Sequence, residues 1–141
     1  MCIPKTFGVL IFGLSLFLGG CCGFVEEEHL GNNFRLSEYD NVDRRILYSE
    51  EKCSGSGIEI VPMTVTEYAY DSKWIIAKSR TSRFETAFQY WIIDKGAKIE
   101  VKAESGSTSN VIKPYLTGPL DSVSFIQMIN ANNIDLTLKK I

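Results

Sequence analysis

The chain has 141 residues, 45% of them hydrophobic and 23% charged, and a net charge of −2. Those proportions exclude a disordered chain and fit one domain with one core. The weak charge, with Lys and Arg scattered rather than gathered in a stripe, sets nucleic acid aside as a partner.

At the N-terminus, Lys5 precedes an apolar run from Phe7 to Leu18, and Leu18-Gly19-Gly20 places small residues before Cys21. This is the layout of a secretory leader over residues 1–20. Leu-x-Gly-Cys resembles the lipobox of bacterial lipoprotein signal peptides. The resemblance implies that Cys21 takes a thioether-linked diacylglyceryl group and, once its amine is freed, a further acyl chain such as palmitate. Cys22 fits the pattern less well, because the residue three before it is Gly19. Buried acyl methylenes contribute about 0.8 kcal/mol each, and two or more chains hold a protein stably on a bilayer without spanning it. The expected localisation is export with lipid anchoring to a bacterial cell membrane, plasma or outer. The 19 uncharged residues from Phe7 to Val25 also have the length of a membrane span, but they include five glycines. Each glycine costs about 1 kcal/mol of helix propensity relative to alanine.

Export permits disulfides. With Cys2 leaving in the leader and Cys21 taken by lipid, Cys22 and Cys53 remain, either as a pair or as free thiols.

Residues 21–33 read as a flexible tether, because Gly23 to Asn33 is polar and contains Gly and Asn, and Glu26 to Glu28 reads as a solvated charge run. A single α+β domain is expected over residues 34–141: an antiparallel sheet of about five strands, mostly a meander, with one C-terminal helix packed on it. FRLSEYD and RRILYS, separated by Asn41 to Asp43, predict a hairpin, and CSGSGIE marks a loop. In PMTVTEYAYD, Val65, Glu67 and Ala69 alternate with Thr66, Tyr68 and Tyr70. Asp71-Ser72 turns the chain into KWIIAKSR, and YWIIDKG repeats the pattern Trp-Ile-Ile-x-Lys. Consecutive apolar residues in both segments predict neighbouring central strands covered on both faces.

KIEVKAE alternates as an outer strand and SGSTSN is a loop. GPLDSVSFIQMINANN then changes period: Leu120, Val123, Ile126 and Ile129 fall on one helical stripe, widened by Phe125 and Met128. Asp121 or Ser122 caps its start, and the Asn pair near residue 132 ends it. IDLTLKKI alternates again, as a last strand along the sheet.

The order of these parts resembles a family of small bacterial lipoproteins built on a domain of unknown function: lipobox, Val-Pro and a strand ending YAYD, then KWIIAKS, YWIIDK, and GPL opening a helix. The likeness runs from Val61 to the C-terminus. It implies the lipoprotein address and a sheet-plus-helix fold, and it transfers no catalytic or binding residue.

A nucleophilic hydrolase needs a preorganised base, and the one imidazole, His29, falls in the expected tether. One His and few free thiols give no metal-ligand set, so neither a metal nor a cofactor is assigned. Glu67, Asp71, Glu85 and Asp94 sit near strand ends, where a glycosidase-like pair would have to form. Exposed charges there more often guard sheet edges. Gly55-x-Gly57 lacks the third glycine of a phosphate loop. Tyr39, Tyr48, Tyr68, Tyr70, Tyr90 and Tyr115 offer aromatic surface for a peptide or glycan, although aromatics on strands are more often core. The expectation is a membrane-tethered, non-catalytic binding module with an envelope protein or glycan as partner. The alternative is a small carboxylate hydrolase acting on envelope glycan.

Overall fold

The structure, a computed structural model, describes residues 26–39, 43–50, 57–62, 64–82, 84–97 and 115–141. Cys21, Cys22, Cys53, the leader and the expected KIEVKAE strand lie outside the described residues.

The α+β class holds, with mostly antiparallel strands and one C-terminal helix, but the strands form two sheets where one was expected. Sheet A contains β1 (Glu26–Gly31), β2 (Phe34–Tyr39), β3 (Asp43–Tyr48) and β4 (Ile58–Val61), in that order. Sheet B contains β5 (Val65–Tyr70), β6 (Trp74–Arg80), β7 (Phe88–Asp94), β8 (Leu116–Leu120) and β9 (Lys139–Lys140), in the order β8-β7-β6-β5-β9. Helix α1 (Ser122–Ala131) packs on the side of sheet B away from sheet A. The chain changes sheets between Val61 and Val65, both fully buried. Pro62, just past β4, lacks the N–H that would extend it.

The tether expected through Asn33 is instead structured from Glu26 onward. Glu26 to Gly31 pairs with β2, and Leu30 is completely buried. Asn32 and Asn33 both take positive φ (49° and 67°), the conformation of a tight hairpin turn that Asn tolerates. Arg35 of β2 donates to Glu27 of β1 at 2.8 Å. β1 then crosses sheet B from β5 toward β7, since Glu28 meets the β5 tyrosines while Asn32 reaches Lys95 just past β7.

The two expected central strands, β6 and β7, pair along their full length. Their alternate residues serve two apolar layers. Ile75, Ala77, Trp91 and Ile93 face sheet A, where they meet Leu30, Phe34, Leu36, Ile46 and Val61. Ile76 and Ile92 face α1 with Phe125 and Ile134, flanked by Trp74 and Tyr90. A register shift between Val65 and Glu67 breaks the simple alternation expected of β5. Val65 therefore joins the inter-sheet layer and Ala69 the helix layer.

Asp121 caps α1, its Oδ1 accepting from the N–H groups of Val123 and Ser124 at 2.8 Å each. The helix buries a different stripe from the one expected. Phe125 stacks on Tyr90 with ring centres 4.8 Å apart, and Met128 and Ile129 pack beside it. Val123 and Ile126 are exposed (64% and 58%). The spacing i, i+3, i+4 set by Phe125 defines the seated face, and Leu120 belongs to β8 rather than to the helix.

Within the inter-sheet layer, Trp91 Nε1 donates to Ser79 Oγ at 2.8 Å, and Ser79 is fully buried. Ser79→Ala would leave the indole N–H without that acceptor. It is expected to cost about 2 kcal/mol, measured as a shift in urea midpoint with unchanged slope.

Candidate functional site

Sheet B has a short outer strand on one side. The β5–β9 pairing joins Glu67 to Lys140 and Tyr68 to Lys139, and it stops there. The preceding chain, Asp135 to Thr137, departs from the edge of β5 and opens a groove of about 740 Å³ between them. Tyr68 and Tyr70 line it together with Glu28 of β1 and the residues of β9.

The two tyrosines, two positions apart on β5, project on the same side. Their rings lie parallel to within 6°, centres 6.3 Å apart. Both hydroxyls donate to the carboxylate of Glu28: Tyr70 to Oε1 at 3.1 Å, Tyr68 to Oε2. The Lys95 ammonium lies 5.4 Å from the centre of the Tyr70 ring and donates to the Leu30 carbonyl at 2.6 Å. Lys95 is 6% exposed, and its own carbonyl accepts from Asn32 Nδ2 at 2.9 Å. Gly31, at φ +88°, passes so close that a Cβ there would sit 2.9 Å from Lys95 Nζ. The groove is thus walled by side chains held from both sheets.

Burial and the Glu28 hydrogen bond push the Tyr68 phenol well above its ordinary value, and the Glu28 hydrogen bond, followed by burial, raises that of Tyr70. Burial lowers the Lys95 ammonium, with the Asp71 charge opposing. The signs separate into two pH windows. Below the ordinary lysine value of 10.5, unfolded chains hold a proton that folded Lys95 has begun to lose, so stability rises with pH. Above the ordinary tyrosine value of 10.0, unfolded phenols ionise while folded ones stay protonated, so stability falls with pH. A urea midpoint that declines above about pH 10, with the decline flattened in Tyr68→Phe/Tyr70→Phe, is the expected result.

The remaining candidates are dispersed. Tyr48 is in the inter-sheet core and Tyr90 packs against the helix layer, as is usual for strand aromatics, whereas Tyr70 is 40% exposed. Of the four carboxylates, Glu67 pairs with Lys78 at 2.8 Å, and Asp71 accepts from the N–H groups of Lys73 and Trp74 in the hairpin turn. Those turn bonds, that from Trp74 foremost, hold the Asp71 carboxyl below its ordinary range. Asp94 accepts from the Gly96 N–H, and Glu85 is exposed between β6 and β7. His29 is an exposed residue of β1, and the described residues contain no cluster of metal-ligating side chains. Glu28 was hidden from sequence reasoning by its place in a run of three glutamates, where nothing distinguishes a strand residue from a solvated one.

Two antiparallel sheets, a helix layer and an open edge groove define a small α+β domain. The chain belongs to the family described as protein of unknown function (DUF3997), whose model matches residues 31–141. Tyr68, Tyr70 and Lys95 fall within the matched stretch and Glu28 precedes it. No curated protein and no solved structure matches the chain.

Proposed function

We propose that this protein is a lipid-anchored, non-catalytic binding module of the bacterial cell envelope, attached through Cys21, and that its partner binds in the Tyr68–Tyr70 groove. The observation that carries this reading is the tyrosine pair itself. Two phenols in an open groove are fixed by one carboxylate, which supplies rigid aromatic surface at little entropic cost. The lipobox-like Leu18-Gly19-Gly20-Cys21 supports the anchor. β1 begins five residues after Cys21. An extended chain covers at most about 18 Å over that interval, which keeps the groove near the bilayer. Tethering raises the effective concentration of membrane-bound partners, so modest affinity suffices.

The test has two parts. Mass spectrometry of the native protein is expected to find Cys21 diacylated and N-terminal, and an unmodified thiol there refutes the anchor. A photo-reactive residue in place of Tyr70, introduced into the native envelope, is expected to crosslink one partner reproducibly. The same group in place of Glu85, on the loop between β6 and β7, should not. Equal labelling from both positions refutes the groove.

A further inference from the structure

We propose that the ligand of this groove is an extended peptide that adds as a strand to the edge of β5, in the row that β9 vacates. The proposal rests on the binding reading above and names the chemistry of the partner.

The main chain points to it. Asp71 N–H donates to the Trp74 carbonyl at 3.0 Å, closing the β5–β6 hairpin. In an antiparallel ladder that bond turns the backbone groups of Ala69 and Glu67 toward β6 and those of Tyr68 and Tyr70 toward the opposite edge. β9 uses that edge: Ile141 N–H donates to the Thr66 carbonyl at 3.3 Å, and Lys139 pairs with Tyr68. The same register would place Thr137 opposite Tyr70, but the strand pairing ends at Lys139. Among the described residues, no backbone group meets the Tyr70 N–H or C=O. A donor and an acceptor in ladder geometry therefore face the groove, as peptide recognition by strand addition requires.

Side chains favour a peptide over a sugar. The Tyr70 ring is already stacked with Tyr68 and has the Lys95 ammonium 5.4 Å from its centre, so it is no open platform for a pyranose face. Charge gives the peptide a polarity. Glu28 and Asp135 line the groove, while Lys139 and Lys140 also line it from the paired part of the edge. A basic residue opposite Tyr70 and an acidic one toward Lys139 complement that distribution.

The experiment uses the lipidated protein, ¹⁵N-labelled in detergent micelles. The probe is a library of end-blocked heptapeptides with Lys or Arg at the centre. A binder is expected to slow hydrogen exchange of the Tyr70 amide by about tenfold or more. N-methylating alternate amides of that peptide should weaken binding by a similar factor, because strand addition depends on main-chain donors. Three outcomes overturn the proposal: no peptide binds, a bound peptide leaves the Tyr70 amide unprotected, or the N-methylated peptide binds equally well. A partner crosslinked from position 70 without protection of its amide refutes strand addition and leaves the binding reading standing. Failure of the crosslink refutes the binding reading itself.

Discussion

Replacing Phe34 with alanine is expected to lower stability by about 4 kcal/mol, the largest loss foreseen for a single substitution here. Phe34 is completely buried at the start of β2, where it is paired with Tyr48 in the ladder. The two rings meet edge to face, with centres 5.3 Å apart. Truncation removes the transfer free energy of a phenyl group and leaves a void that neighbouring strands, fixed by their hydrogen bonds, cannot fill. The thermal midpoint should fall by roughly 15 °C. Phe34→Leu, which retains most of the volume, should lose well under half as much. Equal losses in the two variants would show that the site is not sterically confined.

The second large effect is expected at Gly118, in β8. Its φ of +145° lies in a region that L-residues rarely enter. A Cβ there would sit 2.7 Å from Trp91 Cε3 and 2.8 Å from the carbonyl oxygen of Tyr90. Neither neighbour can yield cheaply. The Tyr90 carbonyl is ladder backbone, and Trp91 is held by its bond to Ser79. Gly118→Ala is therefore expected to cost roughly 3 kcal/mol from backbone strain and overlap together. Gly96→Ala is the control, because among the described residues a Cβ there meets only Asp94 Oδ1, at 3.3 Å. Its effect should stay within about 0.5 kcal/mol. Equilibrium unfolding in urea checks both variants, and similar midpoints for the two would contradict the steric account.

The strands readable in the sequence are those whose own residues carry the pattern. Trp74-Ile75-Ile76 and Trp91-Ile92-Ile93 announce buried strands because every position is apolar, and the structure pairs them as neighbours. The hairpin of β2 and β3 follows likewise from its flanking runs and polar turn. β1 was illegible because Leu30 is the only apolar residue among its six, and its pairing depends on β2 rather than on its own composition. β8 was masked by Gly118-Pro119, residues that ordinarily punctuate a strand and here form one on the sheet edge. In α1 the period was readable but not the rotation, since Val123 and Ile126 are as apolar as the residues that seat the helix. The tyrosines of the groove were visible as aromatic candidates. What joins them to Glu28 is a crossing of one sheet over the other, forty residues away in the chain for Tyr68, which no local pattern encodes.

Sheet B lies in the middle of three layers, and β6 and β7 send alternate side chains to each neighbour. Undocking α1 would wet Ile76 and Ile92, while parting the sheets would wet Ile75 and Ile93, one residue away on the same strands. Both layers hang on the pairing of β6 with β7, so loss of that pairing dissolves the two together, and a single unfolding transition seen alike by probes of either layer is the expected result.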